Sequence, residues 1–227
     1  MDIVRFFRLP KNQLIFLLSI IVFTALVKYS FSSISTFVLA VTASVIFDLV
    51  FLRLRKVSLF FPSAAIVSGL IIGLLASPTL PWYLIVTSSF IAVSAKQFIR
   101  YKGRHIFNPA GLGIFISHLL FNQNVSWWGV SFQQPSLKNL ELVVFFVLLF
   151  LPFLISAVRL KRYLTILSFF AFYEVLNILG RGTNSLFFIL ADPTVIFFMA
   201  VMLPEPMTTP SKKSEQLLFG LFVGLVT

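Results

Sequence analysis

The sequence predicts an all-α polytopic membrane protein, and three observations carry that reading. The 227 residues are 59% hydrophobic, with a mean hydropathy of +1.00. Only 11% are charged, against roughly a quarter in soluble domains. The apolar stretches are continuous rather than alternating with period two, which favours helices over a β-barrel.

A helix needs about 20 residues to cross the hydrocarbon core, fewer where flanking side chains snorkel. Nine spans are read, at 13–28, 34–52, 62–77, 82–98, 109–121, 141–158, 163–179, 185–203 and 215–227. The fifth is short, and the ninth reaches the end of the sequence. The first follows basic residues, as in a signal peptide. It lacks a small-x-small site after Val27 and reads as a retained span.

The loops orient these spans. With the N-terminus inside, inside segments hold Arg5, Arg8 and Lys11; Arg53, Arg55 and Lys56; Lys96, Arg100, Lys102 and Arg104; Arg159, Lys161 and Arg162; Lys212 and Lys213. Only Lys28, Lys138 and Arg181 of the 18 cations fall outside. The positive-inside rule then predicts a cytoplasmic N-terminus in a multi-pass protein of the inner (cell) membrane. Loop placement also explains the net charge of +11 without nucleic acid as a partner. The loop 122–140 falls outside, where Trp127 and Trp128 suit the aromatic interface belt.

Chemistry is sparse. The chain has no cysteine, which excludes disulfides, thiolate chemistry and Cys-ligated metal centres within it. His105 and His118 are too few for a haem or metal cluster without other ligands. No nucleophile–base spacing or Gly-rich phosphate loop is present, so no catalytic residue is assigned. Of seven acids, Asp2, Glu141 and Glu215 lie at span ends. Asp48 stands one turn from "RLRK" and is expected to pair with Arg53 or Arg55. Glu174 and Asp192 fall inside spans, where ionisable groups are costly and usually face a site or a partner.

Proline punctuates the spans. Asp192–Pro193, Asn108–Pro109 and Thr209–Pro210 each read as a cap followed by the first helical residue. Each would start a helix whose free N–H groups suit an anion. The Asn108 start follows "KQFIRYKGRH", with Lys96 and His105 among its basic residues. A cofactor phosphate is expected there, although cytoplasmic loops are basic in any case. Gly111 and Gly113 permit close helix packing or close ligand approach. In "MLPEPMTTPSKK", Pro204 and Pro206 end one helix and hold Glu205 in non-helical backbone. Glu205 with Thr208 is the pair that topology leaves unexplained.

Helices broken at membrane depth often mark binding sites, though a capped kink without a ligand would read the same. Residues 61–81 and 191–206 share a pattern of proline, small or hydroxylated residues, an apolar run and closing prolines. They run in opposite directions. The expectation is a single transmembrane domain, 1–227, made of inverted five-span halves at 1–121 and 141–227. Its tenth span is absent from the sequence.

"SAAIVSGLIIGLL", then "SAKQF" and "RHIFNPAGLGIF", then "MLPEPMTTP" followed by "LLFGLFVGLVT", resemble the NqrB/RnfD family over roughly residues 60–227. These are membrane subunits of the sodium-pumping NADH:quinone oxidoreductase and of the Rnf ferredoxin–NAD oxidoreductase. The resemblance implies a ten-span bundle of inverted halves, similar to urea-transporter-like proteins. It also implies electron transfer, coupled ion transport, a bound flavin (FMN or riboflavin), and other membrane redox subunits and flavoproteins as partners. Family members carry FMN esterified to a threonine in an S-x-A-T motif, expected here near 122–140. No threonine occurs in that stretch, so the flavin is expected to be non-covalent. Its candidate contacts are Lys96, His105, Asn108, Pro109, Asp192, Glu205, Thr208 and Thr209; no metal site is assigned. A small-solute or ion channel on the same fold fits the broken helices too, as does a scaffold subunit without cofactor.

Overall fold

The computed structural model describes residues 9–29, 33–122, 125–130, 160–182 and 192–227, with Val147 and Val158. The span read at 141–158 lies outside the described residues apart from those two. The chain divides into two compact units, Met1–Val130 and Ser131–Thr227, and each is described by itself.

In the first unit the elements are α1 (Pro10–Tyr29), α2 (Ile34–Leu54), α3 (Ser63–Leu75), α4 (Trp82–Phe98), β1 (Arg100–Tyr101), β2 (Arg104–His105) and α5 (Pro109–Phe121). Helices α1 and α2 are long and apolar enough to cross a membrane. Helix α3 packs on both of them, and α4 packs between α2 and α5. One row of α2 at four-residue spacing (Ala40, Ser44, Asp48 and Leu52) is buried throughout, as the helical repeat requires of an inward face. Glycine sets the closest crossing. A Cβ at Gly69 would lie 2.6 Å from the Val41 Cα, so α3 meets α2 backbone to backbone.

The small hairpin departs from the all-α expectation. Arg100 pairs with His105 and Tyr101 with Arg104. Lys102 (φ 48°) and Gly103 (φ 81°) both take positive φ, the condition for a two-residue turn that matches strand twist. The Arg100 guanidinium donates to the Gly103 carbonyl and ties the turn shut.

Helix α3 has 13 residues. It rises about 20 Å, short of a hydrocarbon core of about 30 Å. Its terminal carbonyls therefore need protein donors, and residues 126–129 supply them. The Ser126 N–H (3.1 Å), the Ser126 hydroxyl (3.1 Å) and the Trp127 N–H (3.2 Å) donate to Leu75. The Gly129 N–H donates to Leu74 at 3.0 Å and the Trp128 indole N–H to Gly73 at 3.0 Å. Trp128 is 9% exposed, with its ring 5.4 Å from that of Phe37. The interface-belt expectation is thus corrected for Trp128. Its N–H is spent on a helix end inside the unit.

The second unit contains α6 (Tyr163–Arg181), α7 (Pro193–Phe197), which widens into a π-helical turn over Phe198–Met202, and α8 (Lys213–Val226). Helix α6 is also long and apolar enough to span. Helix α8 lies along it, with Gly220 against the Thr165 carbonyl and the Ser168 hydroxyl, leaving no room for a side chain. Ile166, Phe169, Met199 and Leu203 form the core. The Leu203 N–H reaches back five residues to Phe198 at 2.9 Å. Pro204 and Pro206 have no N–H to continue the ladder, so the helix stops there.

We expect Trp128→Phe to keep the packing against Phe37 but remove the donor to Gly73. It should cost about 1 kcal/mol, read as a lower thermal unfolding midpoint in detergent. Trp128→Ala should cost about 3–5 kcal/mol. Equal, small effects of the two would remove the capping role.

Candidate functional site

The first polar cluster joins the ends of α2 and α4. Asp48 is fully buried. Its Oδ1 accepts from Lys96 Nζ at 2.9 Å and from Gln97 Nε2 at 2.6 Å. The Gln97 carbonyl oxygen in turn accepts from Arg55 at 2.6 Å. This corrects the expected pairing of Asp48 with Arg53 or Arg55. Arg53 sits about 140° around the helix from Asp48 and so points away from it. Arg55 lies past the last helical residue and bonds Gln97 instead. Lys96, a candidate cofactor contact, is held by Asp48. Among the described residues Asp48 Oδ2 and Ser44 Oγ, one turn apart on the buried face, have no hydrogen-bond partner.

At the start of α5 the expected cap is present. Asn108 Oδ1 accepts from the Gly111 N–H at 3.0 Å, and Pro109 is the buried first helical residue. His105 is buried at the end of the hairpin. A separate cavity of about 30 Å³ lies farther along α5, lined by Ser88, Ser117, His118 and Ile114 among others. Its hydroxyls, Ser88 and Ser117, bond each other at 2.9 Å. That is room for water, an order of magnitude below a ligand pocket of about 300 Å³.

In the second unit Asp192 caps α7. Its Oδ1 accepts from the Thr194 N–H at 2.8 Å and the Thr194 hydroxyl at 2.7 Å. Thr209–Pro210, by contrast, does not begin a helix. Helix α8 begins at Lys213, with Lys212 at the cap position and no side-chain bond. Thr209 is 1% exposed and looks backward: its hydroxyl donates to Leu203 at 2.8 Å and its N–H to Glu205 at 2.9 Å. The physical reason is the proline pair, which leaves the end of the π turn without backbone donors, so the buried hydroxyl replaces one. The Thr208 hydroxyl also donates to the Glu205 carbonyl, at 3.3 Å.

Two residues that the sequence reading did not single out hold this turn. Arg162, counted only as an orientation charge, donates to the carbonyls of Pro206 (3.4 Å) and Pro210. Gln216 donates to Lys161 at 3.1 Å and to Ser211 at 3.2 Å. Glu174 on α6 is 6% exposed, and among the described residues neither carboxylate oxygen has a hydrogen-bond partner.

Lys96, His105, Asn108 and Pro109 thus belong to the first unit, and Asp192, Glu205, Thr208 and Thr209 to the second. Glu205, Thr208 and Thr209 come together in one turn. Asn108, Asp192 and Thr209 complete backbone ends, and Lys96 forms an ion pair.

A model of the NQR2, RnfD, RnfE family matches residues 10–141. That range contains the α2–α4 cluster and "FNPAGLG", whereas "MLPEPMTTP", read as part of the resemblance, lies beyond it. The chain is similar to the D-type subunit of the ion-translocating oxidoreductase complex of Buchnera aphidicola subsp. Schizaphis graminum, 26% identical over 117 residues, covering 48% of this chain and 34% of that one. Its counterpart in Buchnera aphidicola subsp. Baizongia pistaciae is 36% identical over 121 residues, covering 52% and 34%. That of Cronobacter sakazakii is 27% identical over 104 residues, covering 44% and 30%. The chain therefore matches over about a third of the length of these curated relatives.

We expect Asp48→Asn to destabilise the first unit by about 3–5 kcal/mol, because it strands the Lys96 ammonium in a largely dry site. The double variant Asp48→Leu with Lys96→Met should recover most of the loss. Thermal unfolding of both checks this, and a double variant no better than the single one would remove the pair from the packing argument.

Proposed function

The chain belongs to the NQR2, RnfD, RnfE family, and from that premise we propose that it is a membrane-embedded electron-transfer subunit of an ion-translocating oxidoreductase complex. The observation that carries this reading is the family match over residues 10–141, which spans the helices of the first unit. The names of the similar proteins support the rest, including other redox subunits of the complex as partners.

A non-covalent flavin belongs to this reading. It is supported by the family resemblance and by the lack of threonine in 122–140. When bound, a flavin supplies one- and two-electron chemistry. Glu205 and Thr208, side by side in the turn after α7, are the side chains nearest to a ligand role. No redox step is assigned to any residue. The charge pattern further supports nine crossings in the inner membrane with the N-terminus in the cytoplasm.

The test is an absorption spectrum of the purified protein, followed by acid extraction. A flavin spectrum whose chromophore acid releases is the expected result. Flavin that stays on the chain would overturn the non-covalent assignment. A colourless protein that makes liposomes permeable to a small solute would overturn the electron-transfer reading in favour of a channel.

A further inference from the structure

No acidic residue occurs between Asp48 and Glu141. Six of the cations in that stretch collect at one end of the first unit. Arg53, Arg55 and Lys56 close α2, and Arg100, Lys102 and Arg104 lie on the hairpin that follows α4. The bond from Arg55 to Gln97 fixes these two segments side by side. Among the described residues the one acid at this end, Asp48, is buried and engaged by Lys96 and Gln97. Among the described residues no carboxylate pairs with Arg100, Lys102 or Arg104.

The hairpin is a fixed feature rather than a slack loop. Lys102 lies 5.3 Å over the Tyr101 ring, and the Arg100 guanidinium bonds the Gly103 carbonyl across the turn. Its cations are exposed, and exposed apolar residues flank them: Phe98 and Ile99 on one side, Ile106 and Phe107 on the other. A charge that only orients spans needs number and side, not geometry. A rigid cationic tip between apolar shoulders matches a surface with phosphates above acyl chains.

We propose that this end of the first unit binds the headgroup of an anionic phospholipid. The hairpin cations and the end of α2 take the phosphodiester, and Phe98, Ile99, Ile106 and Phe107 sit against the acyl chains. Arginine supplies forked donors that match phosphate oxygens, and lysine a mobile point charge. The occupant is a membrane lipid rather than a free anion, because the apolar shoulders add nothing for the latter.

The experiment is native mass spectrometry of the full chain in a mild detergent, with phosphatidylglycerol or phosphatidylcholine added. Wild type should retain phosphatidylglycerol preferentially. The variant R100Q/K102Q/R104Q should lose that preference by about fivefold per cation neutralised. Because that variant alters orientation signals, Gly103→Val is the second probe. It keeps every charge, its Cβ meets no atom within 4 Å, and it strains a backbone at φ 81°, so it should weaken retention by opening the hairpin. Equal retention of the two lipids by wild type would overturn the proposal. So would phosphatidylglycerol binding unchanged in both variants, or its displacement by excess inorganic phosphate.

Discussion

Buried carbonyl groups at the end of a helix need protein donors, and the first unit is arranged around one such end. Helix α3 ends at residues that are buried inside the unit. Gly73, Leu74 and Leu75 are instead met by the backbone of residues 126–129, the Ser126 hydroxyl and the Trp128 indole. This fixes more than a cap. A Cβ at Gly129 would lie 2.6 Å from the Leu74 side chain, so the returning segment must be stripped down at that point. The Trp128 ring lies against Phe37 of α2, which α3 already crosses at Gly69. Satisfying one helix end thus locks α2, α3 and the segment after α5 into a single packing solution.

The second unit meets the same constraint with side chains. Helix α7 also ends early, because prolines follow it. Here the donors are the Thr209 hydroxyl on Leu203 and the Arg162 guanidinium on the carbonyls of the turn. Arginine suits the task because its planar fork can reach two carbonyls from one position. Gln216 then ties the start of α8 to the residues before α6. Both units satisfy a helix end with a mixture of backbone and side-chain donors.

That accounting explains what was legible in the sequence. Asn108–Pro109 and Asp192–Pro193 were readable because a cap acts over two or three residues, within one sequence window. Thr209–Pro210 has the same local grammar, yet its hydroxyl bonds Leu203, behind it. The local signal could not weigh the donors missing from a helix ended by two prolines. Asp48 illustrates the other failure. Of the cations near it in sequence, Arg53 is on the wrong side of the helix and Arg55 bonds Gln97, while its partner Lys96 is 48 residues away across a helix crossing. The hairpin was missed because four paired residues give no periodicity, and its Lys-Gly turn is a weaker signal than Asn-Gly. Of the 141–158 span and the first part of 185–203, the described residues say nothing.

The same logic bears on where function resides. In a chain with so few charges, a polar side chain inside a span invites a functional reading. For Asn108, Asp192, Thr209 and Lys96 the structure supplies a sufficient structural reason, since each closes a backbone end or an ion pair. A buried oxygen left without a partner costs about 1–3 kcal/mol, and capping explains none of those at Glu174, Asp48 Oδ2 or Ser44 Oγ. These atoms carry no proline beside them and no motif to announce them. Punctuation in the sequence therefore marks the residues that build the helices' ends. The groups whose burial the fold does not account for are the quiet ones on the faces between.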